Sequence, residues 1–240
     1  MLAIETSKLT KQFKEKIAVN NLDLRINEGE LFALLGTNGA GKTTTIKMLS
    51  TLILPTDGEI KINRLDVIKD RQKIKELLNV SPQETAIAPN LSVKENLEFM
   101  AGIYQISNKQ EKISELVKLF KLEEVLNQKA KTLSGGWQRK VSIAIALINE
   151  PKILFLDEPT LGLDVIARKE LWKIIENLKG KMTIILTTHY MEEAERLSDR
   201  IGIMAKGNLI DVGTAKELME KAGTNNFEDA FVKIATGGEL

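Results

Sequence analysis

Between residues 36 and 43 the chain reads Gly-Thr-Asn-Gly-Ala-Gly-Lys-Thr, a spacing of glycines and one lysine that suits the binding of phosphate. Glycines let such a loop turn its backbone N–H groups inward, and the positive end of a following helix adds to the field. The residues expected to hold a nucleotide are therefore Gly36, Thr37, Asn38, Gly39, Ala40, Gly41, Lys42, Thr43 and Thr44. Lys42 would reach the β- and γ-phosphates, and Thr43 would offer its hydroxyl to Mg2+. The competing reading is a glycine-rich turn in a surface loop. By chance such a match arises on the order of once per hundred chains of this length, and a strand before it with a helix after it makes chance rarer still.

A second chemical feature is Asp157-Glu158, which closes the apolar run Ile153 to Leu156. Two acids at a strand end face the same edge as the phosphate loop. Asp157 suits the holding of Mg2+ or its water, and Glu158 suits accepting a proton from the attacking water or orienting it. An isolated Asp-Glu pair would be read as solvated strand-end acids; beside a phosphate loop the catalytic reading prevails. His189 is the single histidine and follows Thr183 to Thr188, another apolar strand. That puts it on the same edge, where it can contact a γ-phosphate or position Glu158 and water; alone it would be read as a packed residue.

The elements that must carry these residues are visible in the hydropathy pattern. Leu31 to Leu35 is a buried strand ending at glycine, with a helix from Thr43 to Leu52 behind the loop. Val19, Leu22, Leu24 and Ile26 alternate, and Asp57-Gly58 precedes the alternating Glu59 to Ile62; both read as antiparallel, hairpin-forming strands. From about Ser92 to Ile148 the apolar residues recur at helical spacing. Ile153 to Leu156, a helix that stops at Gly180, and Ile184 to Leu186 form a strand-helix-strand unit, which implies parallel pairing. Asn225 to Leu240 reads as a short helix with a frayed Gly237-Gly238 end.

With 240 residues and 43% hydrophobic content there is material for one sizeable core. Thirty-four basic residues against 33 acidic ones leave +1, so no overall field attracts nucleic acid. Without cysteine, thiolate metal sites and disulfides are excluded. The start, Met1 to Glu5, lacks the pattern of a secretory leader. The longest apolar run, Ile143 to Ile148, falls far short of the roughly 20 residues that a spanning helix needs.

Leu133-Ser134-Gly135-Gly136-Trp137-Gln138 separates this chain from other phosphate-loop proteins. Ser134 can cap a helix running to Ile148, which makes a second anion site from bare N–H groups. With this stretch, the chain resembles the nucleotide-binding domain of ATP-binding cassette (ABC) transporters over essentially its whole length, with the motifs in the family's order. The resemblance implies an α/β phosphate-loop NTPase fold of the ABC ATPase type, one domain over 1–240. Its parts would be a mainly parallel core sheet, an antiparallel β subdomain and a helical signature subdomain at about 88–148. It implies ATP and Mg2+ as ligands. The dimer it implies is a homodimer, or a pseudo-symmetric one with a related subunit, in which Ser134, Gly135 and Gly136 of one copy close on the nucleotide of the other. By the same resemblance, Phe13 stacks on adenine and Val19 packs near base and ribose. Gln83 touches Mg2+ and water, Asp164 lies in the loop that crosses the dimer interface, and His189 is the switch histidine. Trp137 and Phe13 depart from the commonest residues at their positions.

The expected function is an ATPase at the cytoplasmic face of the membrane, peripheral, driving transmembrane permease subunits on separate chains. Met191 to Glu195, Asp199-Arg200 and Gly207 to Gly213 resemble exporters of drugs, antibiotics or sodium. Two other classes compete: a small-molecule kinase, which has no use for Leu-Ser-Gly-Gly, and a soluble cassette protein acting on ribosomes or nucleic acid. The latter type usually carries two cassettes or long coiled-coil insertions, and the near-neutral charge also counts against it.

Overall fold

The computed structural model describes residues 1–238; Glu239 and Leu240, the end of the expected C-terminal segment, lie outside the described residues. β1 (Leu2–Phe13) and β2 (Lys16–Asn27) form an antiparallel hairpin. In β2, Leu22, Leu24 and Ile26 turn inward in alternation. In β1 the register shifts between Thr6 and Leu9, and this irregularity breaks the alternation by which a strand is recognised. β3 (Leu31–Gly36) is buried throughout and leads through the glycine loop into α1 (Lys42–Leu49). That helix stops short of Leu52 because Thr51 takes φ +62° and the Leu52 N–H returns to the Lys47 carbonyl at 2.9 Å.

β4 (Asp57–Ile62) pairs antiparallel with β1, and β5 (Leu65–Asp66) borders it. Asp57-Gly58, expected to precede a hairpin strand, instead lies inside β4. Gly58 has φ +86°, and a Cβ there would stand 2.4 Å from the Lys8 carbonyl oxygen, so glycine is what lets β1 and β4 stay close where their register shifts between Ser7 and Thr10.

Next come α2 (Arg71–Leu77), β6 (Leu78–Ser81), α3 (Val93–Ile103), α4 (Lys109–Phe120) and α5 (Gly135–Ala146). A capping box between Ser92 and Glu95 starts α3. α5 closes at Leu147, just before the expected Ile148. The remaining elements are β7 (Ile153–Asp157), α6 (Val165–Leu178), β8 (Thr183–Thr188), α7 (Met191–Leu197), β9 (Arg200–Ala205), β10 (Asn208–Gly213), α8 (Ala215–Ala222) and α9 (Phe227–Thr236). α9 ends on Gly237 at φ +70°, and the Gly238 N–H bonds the Lys233 carbonyl, so this end is capped and not frayed.

The main sheet has the order β10-β9-β3-β8-β7-β6 and is parallel except for β10, as expected for an α/β fold with a mainly parallel sheet. Strands β7 and β8 alternate between two of the three cores, while Ala33 and Leu35 of β3 and Ile201 and Ile203 of β9 pack into a third with α7 to α9. Leu154, Leu156, Ile184 and Leu186 face α3 to α6, whereas Ile153, Phe155 and Ile185 face α1 and the antiparallel sheet. Register sets the site: Asp157 lies opposite Thr187, Leu35 opposite Thr188, and Ser81 opposite Leu156. The loops after β3, β6, β7 and β8 therefore leave the sheet together at its carboxyl edge.

Candidate functional site

At that edge lies a cavity of about 480 Å3. Asn38 through Thr44 form its floor, Phe13, Lys16 and Ala18 one wall, and Gln83, Glu158, Leu161 and His189 the other. Gly41 begins α1 at φ +106°, and a Cβ there would come within 2.6 Å of the Ala18 carbonyl oxygen. Only glycine fits the position, so the loop backbone can approach a ligand closely.

Lys42 is 5% exposed, and its ammonium donates to the carbonyls of Gly36 (2.7 Å) and Thr37 (3.3 Å) and meets Glu158 Oε1 at 3.1 Å. The other oxygen of Glu158 lies 2.8 Å from His189 Nδ1. Glu158 also has a left-handed backbone, φ +49°, which costs about 1–3 kcal/mol for a non-glycine residue. Its N–H is held by the carbonyl and the hydroxyl of Thr187, at 3.1 and 3.0 Å. Next to it, Asp157 Oδ1 accepts from the hydroxyls of Thr43, at 3.1 Å, and Thr187. A hydroxyl and one carboxylate, with Gln83 lining the same cavity, fit Mg2+, which binds through one or two carboxylates plus substrate phosphates. A helix-borne arginine controls the Gln83 segment: Arg139 on α5 is 5% exposed and donates to the carbonyls of Pro82, at 2.7 Å, and Gln83. Burial lowers the pKa of its guanidinium, against the pull of Asp157 and Glu193.

The arrangement joins a phosphate cradle, a cation site and a carboxylate-histidine pair. A profile of the family described as "ABC transporter" matches residues 19–161, more than half of the chain. The chain belongs to the ABC transporter family. It is 42% identical over 226 residues to the human phospholipid-transporting ATPase ABCA3, covering 92% of this chain and 13% of that protein. It is 36% identical over 241 residues to the daunorubicin resistance ATP-binding protein DrrA3 of Streptomyces coeruleorubidus, covering 99% of this chain and 75% of that one. Among solved structures, a dimeric post-hydrolysis state of the ATP-binding cassette MJ0796 bound to ADP and Pi superposes with a TM-score of 0.79 at 27% identity, over 88% of this chain and 98% of that one. The chain thus spans about an eighth of the length of the human relative.

Other ABC residues expected from the sequence lie elsewhere. Val19 is wholly buried in the core beneath Gly41 and does not line the cavity; Lys16 and Ala18 do. Strand alternation is the reason, since neighbours in β2 face opposite sides. Ser134 precedes α5 without a side-chain capping bond to it, contrary to the expected cap. Ser134 and Gly135 are exposed, and none of Ser134, Gly135, Gly136 and Asp164 lines this chain's own cavity. Asp164 caps α6, accepting from the N–H groups of Ile166 and Ala167 at 2.9 Å each. A Cβ on Gly136 would lie 3.2 Å from that of Ala167, so the starts of α5 and α6 adjoin on one exposed face with Val165 and Ile166. Trp137 packs against the helical core with the Lys140 ammonium 4.4 Å from its ring.

Lys16, Ala18, Arg139, Thr160, Leu161, Thr187 and Glu193 were not among the residues expected from the sequence. Thr187 had a signal, because it lies at the carboxyl end of the strand before His189, one residue from its last. Glu193 had none, because it sits among the similar acids Glu192 and Glu195.

Proposed function

We propose that this chain is the ATP-hydrolysing subunit of a transporter, driving transmembrane permease subunits on other chains from the cytoplasmic face of the membrane. Its likeness to a daunorubicin resistance protein favours export. The observation that carries the reading is the convergence of Lys42, Thr43, Glu158 and His189 at one cavity, with Asp157 directly behind the Thr43 hydroxyl. A triphosphate offers Lys42 a stronger acceptor than Glu158 does, which releases Oε1. Glu158 then takes a proton from water, or orients it, as the water oxygen attacks the γ-phosphorus; the bond to the bridging oxygen breaks, leaving ADP and phosphate. His189 stays against Oε2 and fixes the direction of the carboxylate. Thr43 and Asp157, with Gln83 beside them, would hold Mg2+, which when bound would supply charge neutralisation at the phosphates.

The exposed starts of α5 and α6 support a dimer. Ser134, Gly135, Gly136 and Asp164 do not reach their own cavity, so a second copy or a related subunit would carry them over it. A groove of about 770 Å3 supports the membrane partner. Leu52, Leu78, Val80, Tyr104 and Ile106 line it beside Pro82, the neighbour of Gln83. Leu52 is 59% exposed and Ile103, nearby, 56%. A partner segment seated there would bear on the Gln83 loop and on residues 88–148, proposed here as the inserted unit that passes on the motion. No helix among the described residues is long and apolar enough to cross a membrane. Capture of the tagged chain from solubilised membranes should recover a multi-spanning protein; recovery of ribosomes instead would replace this reading with the soluble one.

A further inference from the structure

Of the three consecutive helical residues Glu192, Glu193 and Ala194, it is Glu193 that puts a carboxylate into the core. The residue is 0% exposed, whereas Glu192 and Glu195 on the same helix face solvent. Its Oε1 accepts from the Thr160 hydroxyl at 2.8 Å and from the Trp172 indole at 2.9 Å. Its Oε2 is buried without a partner of hydrogen-bond geometry among the described residues. Burial raises the pKa of this carboxyl above the usual carboxylate range, over the opposing pull of Thr188, Trp172 and Thr160, and the charge of Glu158 adds to the rise. A buried carboxyl is costly even with these partners, and a hydrophobic residue would pack there more cheaply.

The placement suggests what the cost obtains. Thr160 lies two residues after Glu158, and Glu193 four residues after His189. The same two loops are thus tied twice, once by Glu158 and His189 at the cavity and once by Thr160 and Glu193 behind it. Trp172 anchors the second tie to α6, with the guanidinium groups of Arg168 and Arg196 at 5.4 and 5.3 Å from its ring. Glu158 needs such restraint, because a left-handed backbone persists only where its surroundings over-determine it.

We propose that Glu193 is a positioning residue, which straps the Glu158 loop to the His189 loop and holds the pair in working geometry. The inference rests on the hydrolytic roles of Glu158 and His189 given above. Three variants of the full chain test it by steady-state phosphate release, ATP titration and thermal melting. Glu193→Gln keeps an oxygen acceptor for both donors and should retain turnover within about twofold, the rescue expected of a conservative change. Glu193→Leu should lower kcat by about tenfold or more, as displacement of catalytic groups does, with ATP affinity unchanged. Thr160→Val, close in shape, removes only the strap's hydroxyl; it should lower kcat in the same sense, and combining it with Glu193→Leu should add little. Wild-type kcat in Thr160→Val and Glu193→Leu would overturn the proposal, as would kcat and affinity falling in step with the melting temperature, or Glu193→Gln losing as much as leucine. If leucine does not fold, Thr160→Val against Glu193→Gln decides. A wild-type chain that binds ATP but releases no phosphate would instead remove the hydrolytic reading itself.

Discussion

Glu158→Gln takes one negative charge out of the cavity wall while keeping the side chain's shape. In the wild type that carboxylate is 5% exposed, with Lys42 Nζ 3.1 Å from one oxygen and His189 Nδ1 2.8 Å from the other. Breaking a buried ion pair by removing one partner costs about 3–5 kcal/mol. Here Lys42 keeps the carbonyls of Gly36 and Thr37, so the loss falls toward the ~1–3 kcal/mol of an incompletely satisfied group. The variant should melt below the wild type without nucleotide, and ATP at a hundredfold excess over Kd should restore about 2.7 kcal/mol. Hydrolysis should suffer far more. Losing a positioned proton acceptor costs roughly 100- to 10,000-fold in rate, or ~2.7–5.4 kcal/mol in the barrier. With ATP bound and uncleaved, the protein should accumulate as a dimer. Phosphate release at saturating ATP, ATP titration and light scattering with and without ATP test each step. Turnover within threefold of wild type, or a monomer that no longer binds ATP, would refute the role given to Glu158.

Lys42→Ala removes the ammonium that the loop carbonyls aim into the cavity, and charge-assisted hydrogen bonds are worth ~1.5–3 kcal/mol each; ATP affinity should fall at least about tenfold, and an unchanged titration would end the cradle assignment. Gly58→Ala forces a Cβ to 2.4 Å from the Lys8 carbonyl at φ +86°, and chemical denaturation should show a loss of about 2 kcal/mol or more; a variant as stable as wild type would mean the strands part there without cost. Burial raises Glu193 above its 4.5 reference, so its contribution to stability is complete below pH 4.5 and is lost as pH rises through the folded value. Glu193→Gln, with nothing to ionise, should therefore gain melting temperature relative to wild type as pH rises from 4.5, levelling above the folded pKa; a difference flat in pH would contradict that.

Much of the site was legible because its residues sit at the ends of strands that are easy to read. Leu31 to Leu35, Ile153 to Leu156 and Ile184 to Leu186 are unbroken apolar runs, and parallel pairing brings their carboxyl ends to one edge. Asp157, Glu158 and His189 follow from that placement, and Lys42 and Thr43 from the spacing of the glycine loop that follows Leu31 to Leu35. β1 was not legible, because its alternation breaks at the shift between Thr6 and Leu9. Asp57-Gly58 misled for a related reason: a positive-φ glycine serves a register shift between close strands as well as a turn, and the strand it meets lies far upstream in sequence. Val19 went astray by one residue, since adjacent strand positions face opposite sides. Arg139 and Glu193 look like ordinary helix-surface charges in sequence, and only packing shows that they point inward.

One consequence joins the cradle to the proposed dimer. Lys42 pairs with the carboxylate that would act on water, so the positive charge proposed to receive phosphate also occupies the proposed base. A triphosphate must draw Lys42 away before Glu158 is released, which makes the readiness of the base depend on ligand binding. The second set of anion donors proposed at Ser134 to Gly136 adjoins α6 through Gly136 and Ala167. α6 in turn reaches the catalytic loops through Trp172 and Glu193. A copy arriving on the exposed starts of α5 and α6 would therefore press on the same loops that ATP has just released. If the proposed dimer forms in this way, hydrolysis would require both events, as an engine must if it is not to consume ATP before its partner has closed.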